Sequence, residues 1–235
     1  MSSSGTYNFS ASAASGLTLV AFGRIGIKRT EITTQHLTDA AIEANLVQVT
    51  LGNNQPMLFK SQVTPITLVQ GTANYALPSN LIAIQDIYIT TSPNGAGQPV
   101  PTDRLLYPLS LFDYDAQPNK TTQAPPTTYV VYKTISPSIT FWQVPDGNAT
   151  YTANVRYLSQ QQDVSLANGT SLDLPYVYLD CFVAGLAHRL SRIYAPDKEM
   201  IRKQDYLEAW EAAARTDTQD STNMFISPDW TGYWR

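Results

Sequence analysis

The chain has 235 residues with a single cysteine and two histidines, and its 15 basic and 19 acidic residues leave a formal charge of −4. One cysteine excludes an intrachain disulfide framework, and the acidic balance argues against a general nucleic-acid coat, whose affinity comes from neutralising phosphates. Charged side chains make up only 14%, against the usual quarter. Uncharged Thr, Ser, Gln, Asn and Tyr fill the deficit, a surface that suits a protein covered by neighbours, since charge is depleted from interface cores.

Residues 1–16 are small and polar and read as a flexible arm, without the basic and apolar regions of a signal peptide. No stretch approaches 18 uninterrupted apolar residues, so no membrane partner is expected. The run LTLVAFGRI, Leu17 to about Ile25, predicts a short buried helix, with Gly23 read as a close-packing residue and Gly26 as a helix stop. Thr34 is placed to cap a second helix reaching about Asn53, with Leu37, Ala40, Ala41, Ala44, Val47 or Gln48, and Leu51 at helical spacing.

Residues 57–171 change character. Alternating or β-branched runs such as QVTPITLVQG, LIAIQDIYITT, TTYVVYK, SITFWQVP and TYTANVRYL lie between turn signals. Asp146-Gly147, between two aromatic runs, predicts a hairpin. Nine of the fifteen prolines fall between Pro93 and Pro145, so residues 93–127 are expected to be mostly extended loop. Helix returns after Pro175, with Leu179, Phe182, Val183, Leu186, Leu190 and Ile193 on one face. Asp197 is placed to cap a last helix to about Arg215, with Met200, Leu207, Trp210 and Ala214 as its stripe.

Neither helix pair can bury its stripe alone. The expected fold is therefore α+β: a four-helix body (17–56 plus 172–216), a β-rich insertion (57–171) and an extended tail (217–235).

Candidate chemistry is sparse. Cys181 and His188 are seven residues apart on one helix, roughly 10 Å by rise, too far for a thiolate–imidazole pair; they read as a buried thiol and a helix-surface histidine. His36 has no evident co-ligands for a metal, and no cofactor is expected. Asp113 and Asp115 in FDYD are the nearest thing to the paired carboxylates of a glycan hydrolase, and read more simply as turn residues. The cations Arg24, Lys28 and Arg29 at a helix end either serve its dipole as a solvated face or contact DNA or an acidic partner. Lys198, Arg202, Lys203 and Arg215 are outnumbered by Asp197, Glu199, Asp205, Glu208, Glu211, Asp217 and Asp220, which reads as a face toward solvent or a lumen.

Taken in order, VAFGRIGIKRTEIT, VQGTANYALPSN, DRLLYPLSLFDYDAQPNKTTQAPPTTYVVYK, ITFWQVPDGNATYTANVRYL and LDLPYVYLDCFVAGLAHRLSRIYAPD resemble the head-to-tail adaptors of short-tailed bacteriophages, the tail tubular protein A or portal adaptor type. The likeness runs from about Leu17 onward. It departs at Ala124-Pro125-Pro126, where a glycine-x-proline is the pattern. The resemblance implies a virion structural protein without catalysis, in a ring of usually twelve copies. Its partners would be the portal protein, the tail nozzle and, more distantly, tail fibres, with DNA passing non-specifically and assembly in the host cytoplasm. The other readings are a peptidoglycan-cleaving virion enzyme using Asp113 and Asp115, and a carbohydrate-binding tail protein. The latter needs platforms among Tyr129, Tyr132, Trp142, Tyr151 and Tyr157, which alternate as core residues would.

The segment SPDWTGYWR concentrates apolar surface in Trp230, Tyr233 and Trp234, followed by Arg235. Three rings could contribute on the order of 10–15 kcal/mol as an upper bound, close to the backbone entropy of ordering a dozen residues at about 1–2 kcal/mol each. The tail is therefore expected to order only where a preformed pocket receives it, with these three side chains as anchors, Arg235 at the rim and the portal as the receiving partner.

Overall fold

A computed structural model describes residues 13–54, 58–93, 101–166 and 172–216. In chain order the elements are α1 (Ala13–Ile25), α2 (Thr34–Asn54), β1 (Ser61–Thr67), β2 (Asn74–Ala76), β3 (Leu81–Pro93), β4 (Thr102–Leu105), β5 (Tyr107–Pro108), α3 (Leu111–Asp115), β6 (Thr128–Tyr132), β7 (Ser138–Trp142), β8 (Ala149–Ser159), α4 (Leu179–Tyr194) and α5 (Glu199–Ala214). The class is α+β, as composition and periodicity indicate.

Two hydrophobic cores form. In the first, α4 is enclosed by the other long helices. Cys181, Phe182, Val183, Ala184, Leu186, Ala187 and Leu190 of α4 are buried against Leu17, Ala21, Phe22 and Ile25 of α1, Ala40, Ala44, Val47 and Leu51 of α2, and Tyr206 and Ala213 of α5. Small residues let the helices approach: a Cβ on Gly185 would stand 3.0 Å from the Tyr206 ring and 3.1 Å from Val47. The second core lies between two four-stranded sheets, ordered β1-β8-β3-β4 and β2-β7-β6-β5. In β8, Tyr151, Ala153, Val155 and Tyr157 point inward while Thr152, Asn154 and Arg156 do not, the period-two alternation of a strand with one covered face. Across the sandwich they meet Tyr129, Ile139 and Phe141 from β6 and β7.

The two cores are joined at the end of β8. Ser159 Oγ donates to the Lys60 carbonyl at 3.2 Å, Lys60 pairs with Asp173, and the Val164 N–H donates to Asn45 Oδ1 of α2 at 2.8 Å. Val164 itself is buried in the helical core.

Several expectations are corrected. Asp146-Gly147 reverses the chain but makes no hairpin, because β7 and β8 belong to different sheets. The turn is held by the Tyr151 hydroxyl donating to Asp146 Oδ1 at 2.9 Å. The helix cap is Thr33 and not Thr34: its Oγ1 accepts the His36 N–H at 3.4 Å while its own N–H donates to His36 Nδ1 at 2.9 Å, a reciprocal box with histidine in the usual glutamate place. Asp197 does not cap α5, which is entered through a 3-10 turn, Pro196–Lys198. Leu37, Ile193, Met200 and Leu207 are exposed, not core. Gly23 is no packing contact, since a Cβ there meets nothing within 4 Å. α1 begins at Ala13, ahead of the expected Leu17.

Candidate functional site

The end of α1 is built by Gly26. Its φ of +97° is a conformation that L side chains rarely adopt. It lets the Gly26 N–H reach the Gly23 carbonyl and the Ile27 N–H reach that of Phe22, both at 3.1 Å, closing the helix in a Schellman motif. A cation does serve the negative end of this helix, but it comes from far along the chain: Lys198 Nζ donates to the Ile25 carbonyl at 2.8 Å. Arg24 turns to Asp180 of α4 at 2.6 Å. Lys28 and Arg29 are exposed, and among the described residues neither has an ion-pair partner. With Leu19, Val20, Gly23 and Ile27 they line an open groove of about 610 Å³.

Among the described residues, other apolar faces are uncovered. Ile42, Leu46 and Val49, spaced i, i+4, i+7, run along the side of α2 opposite its core residues, and all are more than two-fifths exposed. Beside them, Val49, Ile82 and Leu158 wall a cleft of about 380 Å³ between α2, β3 and β8, with Gln48 lining it; the Gln48 Nε2 is buried and has no hydrogen-bond partner among the described residues. On α5, Met200 and Leu207 are exposed, with Glu208 and Glu211 near them. A knob of Leu105, Tyr107, Leu111 and Phe112 stands out from the β portion, Phe112 being 80% exposed. Contiguous uncovered apolar surface of this kind marks interaction sites. These faces escaped the sequence reading. The signal for α2 was present, since Ile42, Leu46 and Val49 fit none of the positions assigned to its core.

The chemically reactive residues are occupied structurally. Cys181 is buried, and burial, aided by Asp180, pushes its thiol up to about 12, far from a thiolate. His188, expected on the surface, is buried: its ring stacks on Tyr206 with centroids 6.2 Å apart and lies 3.8 Å from the Glu199 carboxylate. Burial, with Arg192, holds its pKa below the ordinary value. His36 uses Nδ1 in the helix cap and packs edge-on against Phe22 and Tyr194. Asp113 accepts from Ser110 Oγ at 2.6 Å and its N–H donates back to that oxygen at 3.0 Å, so it is held in the N-cap that Ser110 makes for the short α3. Tyr129, Tyr151 and Tyr157 are buried and present no sugar platform; Trp142 is half-buried, its Nε1 donating to the Asn119 carbonyl at 3.2 Å. Among the described residues no group of three His, Cys, Asp or Glu could hold a metal ion, and no helix is long and apolar enough to cross a membrane. Trp230, Tyr233, Trp234 and Arg235 lie outside the described residues.

Uncovered faces around two well-filled cores, with the reactive side chains absorbed into caps and packing, define a protein that works by assembling with others. The chain belongs to the SU10 adaptor protein family, whose model matches residues 19–229. That is a phage adaptor family, in agreement with the head-to-tail adaptor resemblance of the sequence. Membership makes it a structural component of the phage neck that associates with portal and tail components. No curated protein matches the chain.

Proposed function

We propose that the protein is the ring-forming adaptor between the portal and the tail nozzle, that it extends the DNA channel, and that it helps retain packaged DNA. The observation that supports this most directly is the uncovered apolar surface of the helical body, above all the outward stripe of α2. A monomer in solution gains nothing from such a stripe, whereas a ring covers it in every copy. Twelve copies is the number the resemblance implies. The helical residues form the body of the ring, residues 57–171 the β-rich insertion, and the acidic balance leaves the lumen without strong phosphate contacts, so DNA slides.

The aromatic segment from about Thr222, with Trp230, Tyr233 and Trp234 as anchors and Arg235 at the rim, docks on the portal. Many tails on one ring gain by effective concentration. The test is electron microscopy and native mass measurement of the chain alone and mixed with its portal protein, with and without residues 222–235. The expected result is a closed ring on the portal that is lost on deletion. A chain that never associates with the portal refutes the adaptor reading. Unchanged attachment of the deletion variant refutes the tail's role alone.

A further inference from the structure

We propose that a cavity between α2, α4 and α5 binds one small oxyanion of the phosphate or sulfate class, held by Arg189, Arg192 and the Tyr206 hydroxyl. This goes beyond the ring reading and stands without it. The cavity measures about 130 Å³, and its walls include Thr50 of α2, Gly185, His188, Arg189 and Arg192 of α4, and Tyr206 of α5. A single water takes about 10–15 Å³ of such space, so a small oxyanion fits with a few waters. The volume is well below the roughly 300 Å³ at which pockets for larger organic ligands begin.

Two independent observations point to an anion. The first is an unmet donor. Tyr206 is only 9% exposed, and its hydroxyl is buried with no hydrogen-bond partner among the described residues. A buried hydroxyl left unpaired is costly, and an acceptor held in the cavity removes that cost. The Arg189 guanidinium acts on this hydroxyl electrostatically, so the unmet donor and a cation lie within reach of each other.

The second is charge. Arg189 donates from Nη1 to Glu43 at 3.2 Å and from Nη2 to Thr50 Oγ1 at 2.7 Å. Arg192 donates from Nε to Glu199 at 2.9 Å and from Nη2 to His188 Nε2 at 3.4 Å. A guanidinium carries five N–H groups, so each retains donors beyond these bonds. Arg189, Arg192 and Lys203 surround His188 with Glu199, and Glu43 pairs with Arg189, so three cations face two carboxylates. His188 accepts from Arg192 and adds no charge. One positive charge is in excess, and among the described residues no carboxylate lines the cavity. The planar guanidinium fork is well matched to oxyanions of this kind. A backbone phosphate of DNA has the same chemistry, but it could reach only Arg192, whose side chain is more than half exposed, and not the buried Tyr206 hydroxyl.

The test is titration calorimetry of the full chain with inorganic phosphate and with sulfate at constant ionic strength. It is paired with thermal unfolding in about 5 mM of either anion against chloride, a level at which their general exclusion from protein surface has little effect. One saturable site per chain is expected, with a rise in Tm of about 3 °C or more. Tyr206→Phe is expected to weaken binding by about tenfold. Having lost only an unpaired hydroxyl, it should leave the anion-free chain as stable as the wild type or more so. Arg192→Gln is expected to weaken binding by about tenfold or more.

No saturable binding of either anion, or binding that both variants leave unchanged, overturns the proposal. A Tyr206→Phe chain that loses stability without anion shows a hydroxyl already partnered and overturns it equally. So does a short DNA duplex that protects the chain where inorganic phosphate does not, with protection lost in Arg192→Gln and kept in Tyr206→Phe; that result assigns the arginine to DNA.

Discussion

Gly26→Ala and Lys198→Met form a double-mutant cycle that tests how the end of α1 is held. The backbone at Gly26 is left-handed, with φ +97°, which costs a residue bearing a Cβ about 1–2 kcal/mol. The added Cβ would also stand 2.6 Å from Lys198 Nζ. An ammonium at the tip of a flexible stem yields by swinging away, so the contact costs the bond from Nζ to the Ile25 carbonyl at 2.8 Å and little steric strain. That bond has a charged donor and sits at a helix C-terminus, so losing it costs about 1–2 kcal/mol.

Gly26→Ala alone should therefore destabilise by about 2–4 kcal/mol and Lys198→Met alone by about 1–2 kcal/mol. The double variant should lie close to Gly26→Ala, because the bond is already gone, giving a coupling of about 1–2 kcal/mol. Urea unfolding followed by circular dichroism reads these values, and each 1 kcal/mol shifts Tm by about 2–4 °C at this chain length. Losses that add to within about 0.5 kcal/mol would refute the coupling, showing that a Cβ at position 26 does not displace Lys198, and a Lys198→Met loss below that margin would show that Lys198 does not serve this helix end.

Two further predictions concern the reactive side chains. With its thiol pushed up to about 12 by burial, Cys181 should be inert to a thiol-specific disulfide reagent at pH 8 in the native protein and react at once in denaturant; native reactivity would contradict its place in the helical core. His188 has a folded pKa below the ordinary 6.5, so protonation favours the unfolded chain. Its contribution is complete above 6.5 and is lost as pH falls through the folded value, with Arg189, Arg192 and Lys203 opposing the proton and Glu199 alone attracting it. Stability measured from pH 7.5 down to 5.5 should therefore fall more steeply for the wild type than for His188→Gln, and parallel curves would contradict it.

Local rules carried well where the chain decides for itself. Gly26 stops α1 as its position after Ile25 implies, and the alternation through Tyr151, Ala153, Val155 and Tyr157 is read directly as one covered face of a strand. Errors of one residue at the α2 cap and one at the α5 cap are of a kind set by competing local geometry. Thr33 wins over Thr34 because His36 can return a bond to it. Asp197 loses its capping place because Pro196 opens a 3-10 turn that delays the helix to Glu199.

What periodicity could not separate was a helix apolar on one side from a helix apolar on two. In α2, Ala40, Ala44, Val47 and Leu51 share a period with Ile42, Leu46 and Val49, and each set alone is a complete stripe. Only packing against α4 shows which set is inside, and among the described residues nothing covers the other. The turn at Asp146-Gly147 has the same character, since its residues specify a reversal and not the strand that the chain pairs with afterward. The cation for the α1 terminus, expected among Arg24, Lys28 and Arg29, is supplied by Lys198, far along the chain. Among the described residues Lys28 and Arg29 have no ion-pair partner. Tertiary structure thus divides a charge cluster that seemed to belong to one helix end: Arg24 turns to α4, and the helix end is served from the turn that enters α5.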